Sequence, residues 1–138
     1  MRILAIDYGT KRCGIAATDP LRIIASPIDT IDTPQIFDFL KLYTATEAVA
    51  IIVVGEPKHL DGSPAQIAER IDAFCVQLVG FFPDILVERY DERFTSKIAA
   101  QRILAIGVKK KDRRDKGLTD RLSAVVILEG YCASKGIF

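Results

Sequence analysis

The run Val49–Val54 constrains the fold most strongly, because all six of its residues are apolar. A strand of this kind is buried on both faces, which requires helices on both sides of the sheet that contains it. We therefore expect this run to form a central strand of an α/β sheet. The next residues are Gly55-Glu56-Pro57, so a carboxylate stands at the end of that strand.

Four other segments have the apolar and β-branched pattern of strands bounded by turn residues. Three of them follow one another on short turns and should form an antiparallel meander. The alternation of strands and helices that follows predicts that strands one, four and five are parallel. We expect a mixed five-stranded sheet with helices on both faces. The four strands are predicted at about 2–6, 14–18, 22–31 and 85–90.

Four helices are predicted from capping residues and from apolar positions at helical spacing. The first two begin at Ser/Thr-Pro pairs, and the last is capped by Thr119. Their expected positions are a start at Thr33-Pro34, a start at Ser63-Pro64, about 97–106, and about 120–134.

Composition indicates one ordinary globular domain over residues 1–138, with 49% hydrophobic and 27% charged residues. The net charge is +1, so a site for a polyanion must come from local clustering of charge. No apolar stretch reaches the ~18 residues of a membrane span, and no signal peptide is visible. We therefore expect a cytoplasmic protein with no membrane contact. The three cysteines are widely spaced, which favours reduced thiols.

Acidic residues stand at the ends of several predicted elements. Asp7, Glu56 and the pair Asp91-Glu92 follow strands one, four and five, and Asp120 opens the last helix. Parallel strands end at the same edge of a sheet, so these carboxylates should converge there. Oxygen ligands without His or Cys suit Mg²⁺ or Mn²⁺, and two such ions would support phosphodiester hydrolysis.

Simpler explanations exist for each acidic residue taken singly. An aspartate at a strand end is commonly a turn residue. A favourable interaction with the helix dipole would by itself explain Asp120. Asp91 and Glu92 are adjacent, so in strand geometry they point to opposite faces and only one of them can join the cluster. The residue pattern leaves that choice open.

Four sequence blocks occur in order along essentially the whole chain. They are Asp7-Tyr8-Gly9-Thr10-Lys11-Arg12-x-Gly14-x-Ala16, Gly55-x-Pro57 with Asp61-Gly62, Asp91-Glu92-Arg93-x-Thr95-Ser96, and Lys116-Gly117-x-x-Asp120. Together these blocks resemble the YqgF family. The resemblance implies an RNase H-like fold and a nuclease that acts on pre-16S rRNA or on Holliday junctions. It also implies a catalytic triad of Asp7, Glu92 and Asp120, and so favours Glu92 over Asp91.

One position departs from the family pattern. The family usually has leucine where this chain has Glu56. Because Glu56 stands on the predicted carboxylate edge, we expect it to be a fourth metal ligand or a partial substitute for Glu92.

Basic residues accompany the predicted carboxylate cluster. The segment Lys109–Arg121 contains seven basic and three acidic residues, and it is either a solvated loop or a phosphate-binding surface. Most of its basic residues directly precede Asp120, a candidate metal ligand, which favours phosphate binding. The residues predicted to contact nucleic acid are Lys11, Arg12, Arg93, Thr95, Ser96, Lys109, Lys110, Lys111, Arg113 and Lys116.

The leading functional prediction is a metal-dependent nuclease that processes the 5′ end of pre-16S rRNA. A Holliday junction resolvase and a non-catalytic RNA-binding ribosome-assembly factor are the alternatives. Asp7-x-Gly9-Thr10 also resembles the phosphate loop of actin-like ATPases and sugar kinases, but those enzymes need far more chain than 138 residues. The sequence leaves open RNA against DNA and monomer against homodimer.

Overall fold

A computed structural model of the chain describes residues 1–57, 66–92 and 116–138. Five strands in these ranges form one sheet in the order β3-β2-β1-β4-β5. β2 is antiparallel to both β1 and β3, whereas β4 is parallel to both β1 and β5. The predicted meander and parallel core are therefore confirmed. The strands are β1 (Arg2–Tyr8), β2 (Arg12–Thr18), β3 (Ala25–Asp32), β4 (Val49–Glu56) and β5 (Leu86–Asp91).

Helices cover both faces of this sheet, as the apolar central strands require. A 3-10 turn (Thr33–Gln35) leads into α1 (Ile36–Thr46), and α2 (Ala68–Phe81) packs beside α1 against one face. The third described helix, α3 (Lys116–Ser134), packs against the other face.

Strand β1 divides the core between the two faces, because its side chains alternate across the sheet. Leu4 and Ile6 belong to the cluster under α1 and α2, whereas Ile3 and Ala5 belong to the cluster under α3. All four side chains are fully buried. In the described ranges, no helix combines the length and the hydropathy needed to cross a bilayer.

Two predicted strand boundaries were wrong. Strand three begins at Ala25 rather than residue 22, because the preceding residues form a turn around Asp19. The Asp19 carboxylate accepts hydrogen bonds from the backbone N–H groups of Leu21, Ile23 and Ile24. Strand two begins at Arg12, so Gly14 lies inside β2 rather than at its start.

The start of the last helix was also wrong. α3 begins at Lys116, so Thr119 lies inside the helix instead of capping it, and residues 116–121 are helical rather than part of a loop. Weak helix formers are tolerated in this first turn because the buried stretch Ala124–Leu128 anchors the helix to the sheet. The predicted helix at 97–106 and the start at Ser63-Pro64 lie outside the described residues.

Candidate active site

Asp7 lies between two glycines on the strands that flank β1. Gly14 is its direct partner on β2. On the other side, Ile6 pairs with Val54 of β4, and Gly55 is the next residue along that parallel strand. Directly paired residues share a face of the sheet, so both glycines lie on the α3 side together with Asp7.

Gly14 allows Asp120 to approach the sheet. A Cβ at Gly14 would overlap the backbone carbonyl of Asp120 and crowd the backbone nitrogen of Arg121. The first turns of α3 therefore cross β2 beside Asp7. Arg121 extends the contact to the next strand, where its Nη1 donates a hydrogen bond to Thr30 Oγ1 at 3.3 Å.

Gly55 makes the corresponding space for Glu92 on the other side of Asp7. A Cβ at Gly55 would overlap Glu92 Oε2 and would also press on Ile127 Cδ1. The backbone N–H of Glu92 donates to the carbonyl of Glu56 at 3.1 Å, so Glu92 continues the pairing of β5 with β4. The two glycines thus bring Asp120 and Glu92 to opposite sides of Asp7.

The choice between Asp91 and Glu92 follows from the register of β5. Asp91 pairs with Glu56, so these two residues share the face that α1 and α2 cover. Glu92 is one residue further and reaches the opposite face, above Gly55. Of this pair, the structure brings Glu92 together with Asp7.

Glu56 is not brought into this group. Its Oε1 lies 3.5 Å from Nη1 of Arg89, which also forms an ion pair with Asp72 of α2. Side chains alternate along β4, so Gly55 faces Asp7 and Glu56 faces away from it. This geometry does not support the expectation that Glu56 is a metal ligand, although it stands at the predicted edge.

Two carboxyl groups of this cluster, those of Asp7 and Glu92, resist ionisation. Burial, with the nearby charge of Asp120 as the second cause, raises the pKa of Asp7 to about 7. Burial, followed by the charges of Asp7 and Asp91, raises the pKa of Glu92 to about 8. These mutual effects show that the acidic groups are electrostatically coupled. A bound cation would relieve their repulsion.

Asp120 is held by a basic side chain. Its Oδ2 accepts a hydrogen bond from Arg12 Nε at 3.0 Å. Within the described ranges, no group of three or more Asp, Glu, His or Cys side chains is arranged to hold a metal ion. The chemistry of Asp7, Glu92 and Asp120 nevertheless fits a hard divalent cation, since all the donors are carboxylate oxygens. The raised pKa values of Asp7 and Glu92 also mean that a nearby cation would favour their ionised forms.

Of the predicted nucleic-acid-binding residues, the structure describes two side chains. Lys11 is exposed in the β1–β2 turn, and Arg12 is partly exposed beside Asp120. The other predicted side chains lie outside the described residues: Arg93, Thr95, Ser96, Lys109, Lys110, Lys111, Arg113 and Lys116.

Comparisons with known proteins identify the family of this chain. The family model described as "RuvX: Holliday junction resolvase" matches residues 1–134. The chain belongs to the RuvX/YqgF family. The resemblance carried by the four sequence blocks is therefore confirmed.

Several curated members of this family are similar to the chain over nearly its whole length. A Flavobacterium johnsoniae protein is 50% identical over 134 residues, covering 97% of both chains. A Phocaeicola vulgatus protein is 48% identical over 134 residues, covering 97% of this chain and 96% of its own. Both carry the name "Putative pre-16S rRNA nuclease".

Solved structures support the RNase H-like fold. RuvC from Thermus thermophilus, in complex with a Holliday junction substrate, superposes with a TM-score of 0.60 at 17% identity. The match covers 99% of this chain and 97% of that one. A second Thermus thermophilus RuvC structure matches with a TM-score of 0.56 at 16% identity, covering 99% and 98% of the two chains. The predicted fold is confirmed.

Proposed function

We propose that this protein is a nuclease that hydrolyses phosphodiester bonds in structured nucleic acid, acting as a single domain. The catalytic carboxylates in this proposal are Asp7, Glu92 and Asp120. The observation that carries it is the position of Asp7 between Gly14 and Gly55, each of which admits one of the other two acidic residues. Family membership supports the same activity.

A divalent cation fits the chemistry of this cluster, with Mg²⁺ or Mn²⁺ as our proposed cofactor. When bound, it would polarise the scissile phosphate and lower the pKa of an attacking water. Asp7 and Glu92 are the residues best placed to hold it, because burial and mutual repulsion favour binding of positive charge there. Asp120 is the third proposed ligand.

The chain's own residues also determine how the substrate backbone lies. The exposed Lys11 and the partly exposed Arg12 stand at one side of the carboxylates, where they can bind phosphates of the scissile strand. We propose that the basic residues at 109–116 also bind the phosphate backbone of the substrate. Contacts of this kind bind the backbone and position it without reading base sequence.

The proposed substrate is the precursor of 16S rRNA, and the proposed reaction is processing of its 5′ end. The support comes from two relatives that are named putative pre-16S rRNA nucleases. Each is 50% identical to this chain, and the match covers nearly the full length of both proteins. Such a substrate would place the protein in the cytoplasm. End processing can be performed by a monomer, since one cut needs one active site.

Holliday junction resolution is the second candidate function. The description of the family model favours it, and the RuvC fold is compatible with it. Paired cuts across a junction require two active sites, so this function predicts a homodimer. A non-catalytic role in ribosome assembly predicts RNA binding with no cleavage in Mg²⁺ or Mn²⁺.

The deciding experiment compares cleavage of a pre-16S 5′-leader RNA and of a four-way DNA junction, with oligomeric state measured in the same buffer. We expect wild type to cleave the RNA and Asp7→Asn to bind it without cleavage. Glu92→Gln should likewise abolish cleavage. Its matched control is Asp91→Asn, which should still cleave, because these neighbouring carboxylates face opposite sides of the sheet. Paired junction cuts by a dimer would favour resolution, and no cleavage of either substrate would contradict the nuclease proposal.

A further inference from the structure

The ion pair between Arg12 and Asp120 joins a predicted phosphate-binding residue to a proposed metal ligand. Arg12 begins β2, and its Nε lies 3.0 Å from Asp120 Oδ2. Arg12 stands two residues before Gly14, so its side chain is on the same face of the sheet as Asp7. The guanidinium therefore lies at the rim of the carboxylate cluster.

This pairing places a positive charge directly against the carboxylate of Asp120. Asp120 Oδ2 accepts its hydrogen bond from Arg12 Nε, so this carboxylate is directed toward a cation that the protein itself supplies. A cation held by Asp7 and Glu92 would therefore have to compete with the positive charge of Arg12 for Asp120. The side chains of the pair are 35% and 26% exposed, so water can replace either partner and separation is inexpensive.

We propose that Arg12 is a placeholder cation, which neutralises Asp120 in the metal-free protein and turns to a phosphate of the substrate when metal takes Asp120. The inference rests on the proposed nuclease function. It assigns Arg12 a role in coupling the binding of the metal ion to the binding of the substrate backbone. Arginine suits this exchange, because its planar guanidinium binds carboxylate and phosphate oxygens with the same fork geometry.

The exchange makes metal binding and backbone binding cooperative. Metal at Asp120 frees Arg12 for phosphate, and phosphate at Arg12 frees Asp120 for metal, so each ligand must strengthen the other by the same factor. An Arg12→Gln variant loses the guanidinium that competes with the metal for Asp120, and with it the coupling between metal binding and phosphate binding. Removing one nearby positive charge should tighten Mn²⁺ binding to the free protein by about 3- to 10-fold.

The test measures two equilibria and needs no cleavage. Free Mn²⁺ is followed by electron paramagnetic resonance to obtain its Kd for wild type and Arg12→Gln. Affinity for a 5′-labelled hairpin RNA is then measured in Ca²⁺ and in EDTA, with a gel to verify that the RNA is intact. The matched control is Lys11→Gln, which removes the same charge from the neighbouring exposed residue.

We expect Arg12→Gln to bind Mn²⁺ more tightly and to lose most of the Ca²⁺-dependent gain in RNA affinity. Lys11→Gln should leave the Mn²⁺ Kd near its wild-type value and weaken RNA binding by a similar factor in Ca²⁺ and in EDTA. Arg12→Lys keeps the charge, so it should retain a Mn²⁺ Kd close to wild type even if the glutamine variant folds poorly.

Weaker Mn²⁺ binding in Arg12→Gln would overturn the proposal, because it would make Arg12 a support for Asp120 rather than its competitor. An unchanged Ca²⁺-dependent gain in RNA affinity would also overturn it. Asp7→Asn separates this failure from that of the proposed function. If Asp7→Asn binds Mn²⁺ as well as wild type does, the metal is not held here and both proposals fail.

Discussion

The backbone carbonyl of Asp120 occupies the space above Gly14 that a Cβ would fill. Gly14 is also the direct partner of Asp7, so one glycine sets the separation of two proposed catalytic residues. Glycine is required at position 14 because the backbone of α3 approaches β2 closely there. The opposing atoms belong to the helix backbone and cannot rotate away.

Gly14→Ala should destabilise the protein and abolish cleavage. The added methyl group would push α3 away from β2, at a cost of about 1–3 kcal/mol in the free energy of unfolding. Urea denaturation measures the stability, and single-turnover cleavage measures the activity. Gly80→Ala is the control, because a Cβ at Gly80 in α2 meets no atom within 4 Å and should be neutral or stabilising. A fully active, fully stable Gly14→Ala would contradict the close approach.

Gly55→Ala should affect activity more than stability. Its Cβ would meet the side chain of Glu92 and the tip of Ile127, both of which can move, so the protein can adapt by turning Glu92 away from Asp7. We expect a loss of about 10²-fold in the cleavage rate with less than about 1.5 kcal/mol lost in unfolding free energy. The two quantities are measured on the same preparation. A variant with normal activity would show that the position of Glu92 is not critical.

Glu92→Gln should abolish cleavage, whereas Glu56→Gln should leave the rate within about threefold of wild type. Glu56 faces α2 and pairs with Arg89, so its removal leaves the cluster around Asp7 unchanged. A surface ion pair of this kind contributes only about 0–1 kcal/mol to stability. Cleavage rates in saturating Mg²⁺ provide the comparison. Equal losses in the two variants would revive the hypothesis that Glu56 is a metal ligand.

The metal-free protein should lose stability as the pH rises from about 4 to about 8. The folded-state pKa values of Asp7 and Glu92 are raised to about 7 and about 8, so in this range the folded protein binds more protons than the unfolded chain. The stabilisation is fully present below the unfolded pKa values and is lost as the pH rises through the folded ones. Thermal melts in EDTA should therefore show Tm falling by several degrees across this range.

Asp7→Asn tests the origin of this pH dependence. The neutral side chain should flatten the slope and raise Tm at pH 8 in EDTA, although it removes activity. Asp29→Asn, at an exposed carboxylate on β3, should leave the slope as in wild type. Adding Mg²⁺ at pH 8 should stabilise wild type and not Asp7→Asn. A wild-type slope in Asp7→Asn would show that the carboxyl group of Asp7 does not cause it.

The order of the described elements and a set of candidate acidic residues could be predicted because both depend on local patterns. Val49–Val54 indicated a buried strand through its composition alone, and Asp7 and Asp120 belong to motif blocks. Boundaries were harder to predict. Thr119 has the chemistry of a cap, yet α3 begins at Lys116, because packing of its buried residues against the sheet outweighs local preference.

The faces on which the carboxylates stand required the tertiary structure. Glu56 and Glu92 both stand at a strand end, but the register of β4 and β5 directs one toward α2 and the other toward Asp7. Gly14 and Gly55 are recognisable in the sequence as motif residues, whereas their role as spaces for Asp120 and Glu92 depends on where α3 and β5 lie.

The sequence by itself determined the α/β architecture and supplied the candidate acidic residues, since periodicity and strand-end chemistry are local properties of the chain. The tertiary structure decided which of those residues meet. Residues far apart in sequence come together only through strand register and helix docking, as in the pairing of Arg12 with Asp120 across 108 positions. Through that contact Arg12, a predicted phosphate-binding residue, forms an ion pair with Asp120, a proposed metal ligand.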